Sequence, residues 1–488
     1  MMQHSNKEQI QSTGKTPGRW QVFLLVAIGI FMATLDGSIV NIAVPTIMKE
    51  MQVSVASVQW VVMIYLLVVT SLILSFGRLS DIYGRRRIYS LGLVSFSVGS
   101  LLCGLATDIF WLIGFRFAQG FGAAMIMACT PALIVDAFPP AERGRALGFI
   151  GSVVAFGLTS GPVVGGLLLH YFSWRVIFLI NIPIGLITAV LVHSILKGSQ
   201  ADTVRQETFD WLGAIVLALC LGSILLVITH AYEWGYLSPP ILLLVGLFLT
   251  SIVGLILAER LAVHPILDKE LFRIRLFTLP ILAAIILFAS LFSLVFLMPF
   301  YLLGPGGFAI DHVGYLMATL FIFLFVVSPI SGALSDRIGS RLLCTCGTGI
   351  VATSMYLLSR LPAEASALDI VWRLALAGVG MAVFIPPNSA TAMSSVPPHR
   401  RGIASATVAM ARNMGMVLGV AMSGAVFNST FQGLSNGIPP KLYQLNMESI
   451  FMTAFHTAMF GGVVVALVGV LISYLRGPEI LRKSQVKE

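Results

Sequence analysis

Fourteen long apolar runs, most of them about the length a bilayer demands, divide this chain nearly end to end. A spanning helix needs about 20 mainly apolar residues, so a chain built this way has little left from which to make a soluble domain. Composition agrees: 57% of the 488 residues are apolar and 10% charged, whereas soluble chains carry about 25% charged residues. Spans are expected near 22–47, 57–77, 88–107, 110–136, 145–170, 176–196, 211–230, 241–258, 277–302, 313–334, 342–359, 370–394, 403–430 and 450–475. The first is too long for a secretory signal core of about 7–15 residues and reads as span 1. The expected fold class is an all-α polytopic membrane protein.

The net charge of +9 does not point to nucleic acid, because basic residues are dispersed between apolar runs rather than clustered on one solvated face. They sort instead by side. Of the 30 basic residues, 23 fall in the two ends of the chain and the even-to-odd loops, and only Lys49, Arg175, Arg360, Arg373 and Lys441 in the opposite loops. Positive loops stay cytoplasmic, which places both termini in the cytoplasm of a cell whose inner membrane holds the protein. Five scattered cysteines have neither disulfide nor metal spacing, and no metal or cofactor is expected. HExxH and P-loop patterns do not occur, so no enzyme is expected.

The chain repeats itself. Pro139-Pro140 and Arg143-Gly144 recur as Pro397-Pro398 and Arg401-Gly402, and Gly120-x-Gly122 recurs at the same offset as Gly378-x-Gly380. Gly77 to Gly84, with Asp81, recurs as Gly332 to Gly339, with Asp336. Spans 1–6 therefore correspond to spans 9–14, as repeat-built transporters show. The expected divisions are a tail at 1–20, a six-helix bundle at 21–200, inserted spans 7 and 8 at 201–262, a second bundle at 263–476 and a tail at 477–488.

Four motifs in order on these spans resemble the major facilitator superfamily, and within it the fourteen-helix drug:proton antiporters. They are LDGSIVNIAVPTI (Leu35 to Ile47) on span 1, GRLSDIYGRRR (Gly77 to Arg87) after span 2, RFAQGFGAA (Arg116 to Ala124) on span 4 and GPVVGG (Gly161 to Gly166) on span 5. The resemblance implies a major facilitator fold of two six-helix bundles plus two inserted helices. It also implies that Gly77, Asp81, Gly84, Arg85 and the repeat's Asp336 latch conformations; the arginines serve equally as topology signals. Gly157, Gly161, Pro162, Gly165 and Gly166 would form a close-packed gate at the seam between the halves, or ordinary packing.

Charge inside a membrane is costly and marks ion or substrate paths. Asp36 lies deep in span 1 and Arg116 at a similar depth in span 4, so they are candidates for proton coupling or for a structural ion pair. Asn41, Gln119 and Arg412 are candidate substrate contacts, Arg412 for an anionic group of substrate or else, as a structural residue, for backbone hydrogen bonds. Phe292 and Phe296, within a Phe288 to Phe300 stripe, and Met414 would give an adaptable apolar pocket if they face a cavity rather than lipid. His456 reads as packing or proton relay. The expected function is proton-coupled antiport exporting lipophilic, optionally cationic, drugs or toxic compounds by alternating access. The alternatives are export of one endogenous amphiphile, such as a lipid precursor or siderophore, and a membrane sensor without transport. The expected partners are small-molecule substrate, protons and the bilayer, with the chain monomeric and accessory efflux proteins left open.

Overall fold

The computed structural model describes residues 18–139, 142–195, 211–261, 269–397, 401–438 and 447–477, helical almost throughout and without a strand among them. Hydrocarbon dictates this, since each backbone N–H and C=O must be satisfied within its own segment. The helices are α1 (Arg19–Met51), α2 (Val55–Tyr83), α3 (Arg85–Gly104), α4 (Ile109–Ala137), α5 (Arg143–Tyr171), α6 (Val176–Leu179), α7 (Asn181–Ile195), α8 (Trp211–Trp234), α9 (Pro239–Leu261), α10 (Lys269–Phe272), α11 (Arg275–Leu303), α12 (Ile310–Ile338), α13 (Ser340–Leu358), α14 (Ala367–Ser394), α15 (Arg401–Leu434) and α16 (Glu448–Tyr474). Fourteen spans are long and apolar enough to cross a membrane, in the order the sequence predicts. The sixth is broken into α6 and α7. Pro183 has no N–H to donate and its ring crowds the carbonyl of Leu179, where α6 stops.

The repeat reappears as packing. In the first half α1 lies on α5, α4 on α2 and α3, and α7 on α3; in the second, α11 lies on α15, α14 on α12 and α13, and α16 on α13. The duplicated Gly-x-Gly pairs explain part of this symmetry. A Cβ on Gly122 would sit 2.7 Å from the Gly92 carbonyl oxygen of α3, and one on Gly380 2.8 Å from the Gly347 oxygen of α13. Only glycine lets these backbones approach so closely. Gly84 and Gly339, one residue between consecutive helices, hold φ of 96° and 84°, a left-handed turn that favours glycine.

The halves meet where α5 crosses α12, α2 crosses α15 and α1 faces α11. Inserted helix α8 packs on both α2 and α15, covering one of these seams, and α9 packs on α8. Trp60 of α2 stacks on His230, which stacks on Trp234, at centroid distances of 6.3 and 4.6 Å. The outer surface of α9 exposes Leu243, Leu249, Val253 and Ile256, as a lipid-facing helix does. Below, the terminal end is the one where α1 starts and α16 stops; the far end is the opposite one.

Candidate functional site

Asp36 and Arg116 meet inside the first half, both with no exposed surface. The Arg116 Nη1 donates to Asp36 Oδ2 and, at 2.7 Å, to Gln119 Oε1. Gln119 Nε2 and Asn181 Nδ2 each donate to Asp36 Oδ1 at 3.0 Å, and Gln119 Nε2 also reaches Ser100 Oγ at 2.7 Å. Arg116 Nε donates to the Val61 carbonyl at 2.9 Å. Three helices thus meet at one carboxylate, and two more, through Ser100 and Val61, hold its partners. The spacing of Arg116 and Gln119, three residues apart, puts both on one face of α4, and the break before α7 frees Asn181 to point inward.

Tyr65 of α2 closes the network on the side of the seam. Its ring lies 4.2 Å from the Arg116 guanidinium carbon, within cation–π range, and its hydroxyl donates to the Ala33 carbonyl at 2.9 Å. Tyr65 also lines a narrow central cavity between the halves, bounded too by Gly37, Val154, Phe292, Arg412 and Asn413. At the far end a wider vestibule, of about 410 Å³, is lined by Pro45, Lys49, Phe300 and Phe451. Between the two lie Asn41 and Phe296. Each is one helical turn from a residue of either cavity (Gly37 and Pro45; Phe292 and Phe300) and so shares their face, and their exposures are 1% and 0%. They partition the path.

Several of the expected contacts are made differently. Asn41 does not join the Asp36 network; its Nδ2 donates to the Gly37 and Ser38 carbonyls of its own helix. Phe292 lines the central cavity but Phe296 is packed away from it, and the methionines of its lining are Met127 and Met416, not Met414. Residues 412 and 416 share a face of α15, whereas Met414 lies on its flank. Gly157, Gly161 and Gly165 are not at the seam. They pack on α1 of their own half, where a Cβ on Gly161 would lie 2.5 Å from Ser38 Oγ and one on Gly165 2.9 Å from Ile39. Gly166 and Pro162 do reach across: a Gly166 Cβ would lie 3.0 Å from the Gly314 Cα of α12, and the Pro162 carbonyl faces Gly314. His456 meets the Leu361 carbonyl at 2.7 Å, a packing contact.

The loop after α2 is anchored within its own half. Arg85 donates to Asp136 at 2.6 Å and Arg86 to the His193 carbonyl at 2.8 Å, while a Cβ on Gly77 would meet open space. The side chains of Asp81 and Asp336 lie outside the described residues. Sequence reasoning missed Asn181, Tyr65 and Ser100. The Asn-Ile-Pro break in span 6 was the one available signal, an amide placed beside a proline-forced helix end.

Two repeated six-span halves, with a cavity at their seam and a sequestered ion pair beside it, are the architecture of a membrane transporter. The chain belongs to the major facilitator superfamily, whose model matches residues 26–420. It is 34% identical over 409 residues to the riboflavin transporter RibZ of Clostridioides difficile, covering 84% of this chain and 88% of that one. It is 31% identical to the multidrug resistance protein Stp of Mycobacterium tuberculosis over 91% and 84% of the two chains, and 30% identical to the multidrug transporter protein MdtP of Bacillus subtilis over 86% and 77%. A bacterial homologue of the human lysosomal transporter Spinster, solved inward-facing and unoccupied, shares the fold with a TM-score of 0.71 at 17% identity, covering 95% of this chain and 98% of that one.

Proposed function

We propose that the protein is a proton-coupled antiporter that exports lipophilic compounds across the cytoplasmic membrane by alternating access, with both termini in the cytoplasm and one chain as the working unit. The observation that carries this reading is Asp36: a fully buried carboxylate in a membrane helix, paired with two amide donors and with one cation, Arg116, that packs on the cavity-lining ring of Tyr65. Protonating Asp36 removes the charge that holds Arg116. The guanidinium then keeps only Gln119 Oε1 and the Val61 carbonyl, an arrangement whose uncompensated buried charge costs several kcal/mol. Moving Arg116 displaces Tyr65, and Tyr65 is cavity wall. Occupancy of the cavity and protonation of Asp36 are thereby linked.

The Gly166–Gly314 contact would close the far end between α5 and α12, the Asn41–Phe296 layer would part to release substrate, and the Gly77 to Gly84 turn with Arg85, Asp81 and Asp336 would set the balance of states. Names of relatives such as Stp and MdtP support multidrug export, with resistance to antibiotics as its consequence. A second reading, transport of one specific compound, draws on the likeness to RibZ. Flux in liposomes with and without an imposed proton gradient tests the first: accumulation that does not respond to the gradient rejects antiport.

A further inference from the structure

The central cavity carries one ionic group and it is positive. Arg412 lines it, cannot lose its proton, and has no hydrogen-bond or ion-pair partner among the described residues. Its neighbour Asn413 is 3% exposed, lines the same space and leaves its side-chain Nδ2 unbonded. Buried donors of this kind are costly unless a ligand completes them. The remaining wall is apolar, with Leu66, Met127, Leu158, Phe292 and Met416.

No acid is free to receive a cation here. None of the lining residues is Asp or Glu, and Asp36, the nearest carboxylate in sequence to the wall, has both oxygens bonded to Arg116, Gln119 and Asn181. The far-end vestibule repeats the pattern independently: Lys49 is the one charged residue of its lining. A compound leaving by that route meets a cation in both chambers.

We infer that the central cavity takes an acidic amphiphile, an apolar body with one carboxylate, sulfonate or comparable anionic group held by Arg412 and Asn413. This rests on the exporter reading above and narrows its substrate class away from lipophilic cations. A matched pair of probes with one ring system tests it: 1-naphthalenesulfonate and 1-naphthyltrimethylammonium, titrated into purified full-length protein with no gradient present. Charge-assisted hydrogen bonds favour the sulfonate, so it should bind about tenfold or more tighter than the ammonium, a gap of about 1.4 kcal/mol. Arg412→Gln should erase the gap and Arg412→Lys should restore part of it.

Equal binding of the two probes, tighter binding of the ammonium, or binding of neither overturns the inference from the wild type alone, whatever the variants do. A protein that prefers the ammonium yet accumulates compounds on a proton gradient sinks the substrate class and leaves antiport standing. One that prefers the sulfonate but shows no gradient-driven flux does the reverse.

Discussion

Tyr65 touches both Arg116 and the central cavity: its ring lies 4.2 Å from the guanidinium carbon, and the residue is part of the cavity wall. It is the shortest physical link between the charge-bearing interior of the first half and the seam where substrate would sit. Tyr65→Phe removes only the hydroxyl bond to Ala33, so stability should fall by about 1 kcal/mol with coupling retained. Tyr65→Leu removes the ring and should leave expression near normal while proton-driven flux drops about tenfold, the scale of one lost cation–π contact in a desolvated site. Equal flux in the two variants would remove Tyr65 from the coupling route.

The glycine face of α5 should divide functionally by the neighbour it touches. Gly161→Ala drives a methyl against Ser38 within one half, and overpacking of this kind costs about 1–3 kcal/mol, seen as a lower melting temperature of purified protein. Gly166→Ala presses instead on Gly314 across the seam. It should change the conformational balance more than the stability, read as increased labelling from the far side of a cysteine placed at Thr46. A purely destabilising Gly166→Ala would make that contact ordinary packing.

Phe296→Ala should join the two chambers, because Phe296 and Asn41 are the layer between the residues that line them. The measurable result is leak: a thiol reagent applied from the far side should reach a cysteine at Gly37 at least about tenfold faster than in the parent, on the view that a buried aromatic truncation leaves a large void. An unchanged labelling rate would place the partition elsewhere.

Orientation is tested with single cysteines in a background lacking the five native ones. Tyr83→Cys, at the terminal end of α2, should be shielded from an impermeant reagent in intact cells, and Leu237→Cys, between α8 and α9, should react. The reverse pattern would invert the topology argued from positive loops.

Much of this arrangement is legible in the residues because two strong signals dominate a membrane sequence. Apolar run length fixes the spans, and buried charge singles out Asp36 and Arg116, with Gln119 added by its spacing from Arg116. Uncharged polar residues give no such signal. Ser100 differs little in cost from the serines and threonines that bond to their own helix backbone, as Thr70 and Thr130 do, so nothing in sequence sets it apart, and Asn181 is marked only by the proline two residues on. Faces are also readable while neighbours are not. The spacing of Gly157, Gly161 and Gly165 shows that they share a side of α5, but whether α1 or α12 covers that side is a tertiary fact. Likewise the rotation of α15 decides between Met414 and Met416, and a stripe of spaced methionines does not encode it.

The central claim is that Asp36 carries the coupled proton, and the most direct measurement is substrate accumulation in liposomes by Asp36→Asn, Arg116→Gln and the double variant, each alongside purified-protein stability. Asp36→Asn keeps the side chain's size and shape but cannot titrate. It should bind substrate and equilibrate it down a gradient while failing to accumulate it on a proton gradient, and the double variant should regain stability, since a lone buried charge is worth on the order of 3–5 kcal/mol of destabilisation, without regaining accumulation. Proton-driven accumulation by the double variant would contradict the account, because the pair would then be a structural tie and the proton would travel elsewhere.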